Sequence, residues 1–129
     1  MKKKAIVLTI VFLFCSKAQA STDDLVFSEI MYDAVGADSG HEWVEIFNGG
    51  DQDLVASSTW RFFDGSNHSL NLYHGSSTIL VNDYFVVADN AENFLLDYPD
   101  FSGNLFDSVM SLPNSSSTLG LSFDSGQNY

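Results

Sequence analysis

From Leu25 onward, apolar residues alternate with polar ones or gather in short runs, and clusters of Gly, Asn, Asp and Ser separate the runs every 8–12 residues or so. That spacing predicts an all-β sandwich or barrel. Residues 25–31 read as a first strand and 42–48 as a second. In the second, alternation puts Val44 and Ile46 on one face and Trp43, Glu45 and Phe47 on the other, and Gly49-Gly50-Asp51 ends it with turn chemistry. A third strand, 60–63, closes on Asp64-Gly65, a hairpin dipeptide, with 69–73 as its return strand. Strands 78–81 and 84–88 flank a turn or bulge at Asn82-Asp83 within one long segment. The single helix candidate is 90–96, with Asn90 as cap, Phe94 and Leu95 as docking residues and Pro99 as the stop. Strands at 105–109 and 118–123 follow, and 124–128 reads as one more hairpin turn. The sequence stops at Tyr129, where a returning strand is expected, so the domain reads as truncated at its C-terminus and as the front part of a longer protein.

Charge divides the chain in two. Of its 17 acidic and 5 basic residues, Lys2, Lys3, Lys4 and Lys17 fall in the first twenty positions, together with Cys15, the one cysteine. Lys2 to Lys4 form a positive start, 5–14 an apolar run, and Ala18-Gln19-Ala20 a small-x-small cleavage site, so 1–20 reads as a secretory signal peptide and 21–129 as the mature domain. The apolar run is half the ~20 residues that a membrane helix needs, so no span is expected after cleavage. Phe14, rather than a small residue, precedes Cys15, which argues against lipidation there. The mature domain then holds no cysteine, which excludes a disulfide, a thiol nucleophile and a thiolate metal site. It carries all 17 acids against Arg61 alone, a balance of −16. Such a surface repels phosphate backbones and anionic lipid, and direct nucleic-acid binding is not expected.

Several blocks resemble the lamin tail domain in its bacterial secreted form. They are Leu25-Val26-Phe27-Ser28-Glu29-Ile30-Met31-Tyr32-Asp33, then Gly36, Asp38-Ser39-Gly40 and Glu42-Trp43-Val44-Glu45-Ile46-Phe47-Asn48, similar to that family's opening pair of strands. Leu54-Val55 with Trp60, Tyr84-Phe85-Val86-Val87-Ala88-Asp89, and Ser111-Leu112 through Phe123-Asp124-Ser125-Gly126 resemble later parts of it. Two departures stand out: Asn82-Asp83 replaces the usual glycine-containing turn, and the closing strand after Gly126 is missing. The resemblance implies an immunoglobulin-like β-sandwich with an accessory role, and it carries no catalytic residue onto any position here.

The residues themselves offer little chemistry. His41, His68 and His74 lie on separate predicted segments, and no glycine-flanked serine sits at a strand-to-helix elbow, so neither a hydrolytic triad nor a zinc centre is supported. His68 and His74 read as solvent-facing strand-end residues. Asp33, Asp38, Glu42 and Glu45 are the candidate metal ligands, because hard oxygens near a Gly-containing loop suit Ca²⁺. The competing reading makes them turn formers and a solvated face, with no cofactor. Trp43 and Phe47 are the candidate binding surface if their face is the less buried one, whereas Trp60, Phe85 and Phe123 read as core. The function expected is a noncatalytic, secreted or cell-surface interaction or adhesion module of a longer exported protein, acting in extracellular space or the periplasm on a protein or surface-glycan partner. The alternatives are an accessory domain of an exported hydrolase such as a nuclease, with its catalytic part downstream, and a calcium-dependent carbohydrate binder.

Overall fold

The computed structural model describes residues 24–36 and 38–129, and the signal-peptide reading of 1–20 lies outside them. The strands are β1 (Leu25–Met31), β2 (Trp43–Asn48), β3 (Leu54–Val55), β4 (Arg61–Phe63), β5 (Asn67–Ser69), β6 (Asn71–His74), β7 (Thr78–Ile79) and β8 (Tyr84–Ala88). Helix α1 (Ala91–Asp97), β9 (Asn104–Asp107) and β10 (Gly120–Ser122) complete the order. A five-stranded sheet, β1-β2-β8-β9-β6, faces a three-stranded sheet, β10-β4-β5, and β3 and β7 pair separately. The layers meet through aromatic contacts: Trp60 to Phe85 at 6.1 Å and Phe27 to Phe62 at 6.3 Å between ring centroids. This is an immunoglobulin-like β-sandwich, the all-β layering that the residue pattern predicts and the form of it that the family resemblance implies.

The middle of the large sheet explains its order. Phe85, Val86, Val87 and Ala88 are all buried, a continuous apolar run as expected of a strand covered on both faces. β8 runs antiparallel to β2 but parallel to β9, so the chain must cross over between β8 and β9. Helix α1 is that crossover. Its first turn is capped by the Asn90 side chain, which accepts from the Asn93 N–H at 3.0 Å. At its other end the Tyr98 N–H donates to the Phe94 carbonyl, and Pro99 follows.

Two expectations need correcting. The return strand expected at 69–73 is two strands in different sheets: β5 pairs with β4, and β6 pairs with β9. Leu70 between them is buried and anchors the change of layer. Likewise 78–81 and 84–88 are not one segment, since β7 pairs with β3 while β8 enters the large sheet. The chain turns between them at Asn82, whose φ of 61° is the left-handed conformation that glycine usually supplies and asparagine tolerates. Asn82 N–H donates to the Asn48 carbonyl at 2.9 Å and Asn48 N–H to Asp83, which ties this turn to the end of β2. Among the described residues, no helix is long and apolar enough to cross a membrane.

Candidate functional site

The acidic candidates do not form a centre. Glu45 lies on β2 opposite Glu29 and accepts from the Ser28 hydroxyl at 2.7 Å. Asp38 accepts from the Ala34 N–H and the Asn114 side-chain amide, serving as a loop tie. Glu42 is only 5% exposed and accepts from the Leu112 N–H at 2.8 Å. Among the described residues no three His, Cys, Asp or Glu side chains gather to hold a metal, and the candidates Asp38, Glu42 and Glu45 make the separate hydrogen bonds just given, while Asp33 lines a different hollow with His41 and Asp97. Glu42 is the exception in its surroundings, since it borders a hollow of about 360 Å³ with Asp38 and Asp89. Burial pushes its carboxyl above the ordinary value; the Leu112 N–H opposes this, and the charges of Asp89, Asp38 and Asp64 add to the rise.

Two of the three histidines are tied to carboxylates. His41 Nδ1 lies 2.6 Å from Asp97 and His68 Nε2 lies 2.9 Å from Asp64. His68 is thus half-buried rather than solvent-facing, while His74 is exposed. Burial pushes the Asp64 carboxyl up, but hydrogen bonds from the Ser111 N–H, His68 and the Ser66 N–H together hold it below its ordinary value. In a hydrolytic triad the hydroxyl bonds the imidazole. Here the backbone N–H groups of Ser66 and Ser111 donate to the Asp64 carboxylate, an arrangement that fixes loops.

The aromatic candidates separate. Trp43 is 7% exposed, because α1 and the residues after it cover its end of the sheet: Phe94 and Tyr98 meet the indole edge-on at 5.7 and 5.6 Å. Trp43 is therefore corrected from surface to core, and its Nε1 is left without a hydrogen-bond partner. Phe47, at the other end of β2, lies beyond the helix and stays half-buried against Tyr84 at 4.8 Å. The register places Val26, Phe47 and Tyr84 side by side across β1, β2 and β8. Val26 is 54% and Tyr84 46% exposed, so an apolar row crosses three strands on the open outer face.

The inner face is open along β1 as well. Pairing of Leu25 with Asn48, Phe27 with Ile46 and Ile30 with Val44 turns all three toward the sandwich interior. Leu25 and Phe27 nevertheless remain half-buried, and Ile30 is 43% exposed. Two hollows of about 150 and 170 Å³ lie beside them and share Leu119 as a common wall. Neither the outer row nor this margin was visible in the sequence, since both depend on which strands pair and in what register.

A family model, Lamin Tail Domain, matches residues 18–127. Comparison with curated proteins and with solved structures gave no match. That family is one of noncatalytic, immunoglobulin-like modules, and its match covers the whole sandwich just described. The two-layer architecture and the span of the match agree, and the chain belongs to the lamin tail domain family.

Proposed function

We propose that the chain is a noncatalytic interaction module that acts after export, at the cell surface or in the surrounding space, on a protein or surface-glycan partner. The observation that carries this reading is the Val26-Phe47-Tyr84 row. Apolar side chains aligned across three strands on an otherwise acidic surface are a feature of partner-binding faces. Export is supported by the signal-like 1–20 segment.

The test applies labelled, exported chain to intact cells of the producing organism. Saturable binding is expected, and it should fall at least about tenfold in a Val26→Lys/Tyr84→Lys variant, because two charges would enter the centre of an apolar contact. Both positions are half-exposed, so the melting temperature should be nearly unchanged and serves as the folding control. Protease pretreatment of the cells abolishes binding if the partner is protein, and periodate does so if it is glycan. Unsaturable binding, or binding indifferent to the double substitution, overturns the reading.

A further inference from the structure

β1 is an edge strand: six of its seven residues pair with β2 on one side, Ser28 falling at the register shift, and among the described residues no strand pairs with the other side. An edge of this kind presents unpaired N–H and C=O groups along ~23 Å of backbone. Below the free edge lie the two hollows that share Leu119, walled on the β1 side by Leu25, Phe27 and Ile30. Across from them stand Leu121 and Leu112. The other strand bordering this margin, β10, has only three residues, and the Tyr129 ring sits directly over Gly120, where a Cβ would come within 2.8 Å of it. The hydrogen-bonding edge that remains accessible is therefore that of β1.

Charge decides what can occupy it. Asp24, Glu29 and Asp33 lie along or beside β1, Glu29 is exposed at the middle of the strand, and the domain carries one arginine against 17 acids. A second copy docking edge to edge would bring acidic strands together within a −16 field, and the register shift between Phe27 and Glu29 further interrupts a flat self-pairing edge. A basic strand does not meet the charge obstacle, and it brings no second irregular acidic edge to the pairing. Resting on the reading of the chain as an interaction module, we propose that β1 accepts an extended, basic segment of a partner protein as a sixth strand. Apolar side chains at alternate positions of that segment fill the Leu25-Phe27 and Ile30-Leu119 hollows, and its Lys or Arg residues face Asp24, Glu29 and Asp33. This is strand addition, in which main-chain bonds supply affinity and side-chain pockets supply selection.

The probe is a nine-residue peptide alternating valine and threonine between terminal lysines, titrated into the exported chain by calorimetry, with hydrogen exchange followed residue by residue. Saturating peptide should slow exchange at outward amides of 25–31. Its dissociation constant should weaken roughly tenfold in Glu29→Lys and again between ~50 and ~500 mM salt, as expected where opposite charges steer and hold the strand. A glutamate-flanked version of the peptide should bind far more weakly. Ile30→Lys, at a position already half-open, should impair peptide binding with the melting temperature retained. Equal binding of the two peptides, slowed exchange elsewhere than 25–31, or dimerisation of the chain through the same amides would each overturn the proposal. So would protection of 25–31 before peptide is added in any longer natural form of the chain, which would assign the edge to its own sequence. If the peptide fails while cell-surface binding still depends on Val26 and Tyr84, only this inference falls.

Discussion

Trp60→Ala tests the core on which every surface described above depends. Trp60 is 4% exposed, stacked on Phe123 at 4.4 Å and tilted against Phe85 at 6.1 Å, so it ties the small sheet both to the segment after β10 and to the centre of the large sheet. Burying a side chain of this size removes about 200 Å² from water, worth about 5 kcal/mol at ~25 cal/mol per Å². Some of that area is already covered in a compact unfolded chain, which lowers the figure by about 10–40%. The cavity left behind raises it again, and the expected loss is about 3–5 kcal/mol. A domain of this size has about 5–15 kcal/mol in total, so the variant stays folded only if the wild type lies in the upper part of that range. In urea, with a slope near 2 kcal/mol per M, the midpoint should fall by ~2 M, followed by circular dichroism because the substitution removes a fluorophore. Val35→Ala, at a fully exposed position, should shift the midpoint by less than ~0.5 kcal/mol equivalent. A Trp60→Ala loss below about 1 kcal/mol would refute the packing argument and place Trp60 at a surface.

Glu42→Gln should raise the melting temperature at pH 7 and lose that gain below pH 4.5. Burial lifts the Glu42 carboxyl above its ordinary 4.5, so the folded state holds its proton more tightly, and the stability that Glu42 contributes is present at low pH and lost as pH rises through the folded value. Asp124 behaves in the opposite sense: hydrogen bonds from the Ser122 hydroxyl and from Asn128 lower its carboxyl from 3.8 to about 2, so the order of the 124–128 turn is retained above pH 4 and lost as pH falls toward 2. A carbon-13 carboxyl titration should show this low midpoint, and Ser122→Ala should move it upward. Asn82→Ala should cost about 1–2 kcal/mol, because a left-handed φ is strained for alanine, whereas Asn82→Gly should be nearly neutral; paired thermal melts distinguish the two. Sequencing of exported material should find Ser21 at its N-terminus.

The strands most legible in the sequence were those with one-sided alternation or strong boundary signals. β1 and β8 have the bounds expected of them, and α1 carries its Asn90 cap where the side chain predicted it. The failures share a cause. Local pattern marks a segment as extended but says nothing about its sheet, so 69–73 looked like a single return strand although Leu70 divides it between layers. The face of β2 was read correctly, yet the exposure of Trp43 was not, because what covers it is supplied by a helix about fifty residues further on. The acidic loop misled for the opposite reason. Closeness in sequence suggested convergence, while Glu42 turns to Leu112, Glu45 to Ser28 and Asp38 to Ala34 and Asn114.

The crossover between β8 and β9 also acts as a ruler. A helix of seven residues is ~10 Å long, while the six residues of β2 extend for ~20 Å, so the connection can roof only about half of the sheet beneath it. Trp43 falls inside that half and Phe47 outside it. Each added turn of helix would advance the roof by ~5 Å, and two would reach Phe47 and Tyr84. The extent of open apolar surface on this domain is thus governed by the length of a connection that leaves every strand residue unchanged. Lengthening or shortening that one segment would change how much apolar surface the sandwich leaves open while keeping its core.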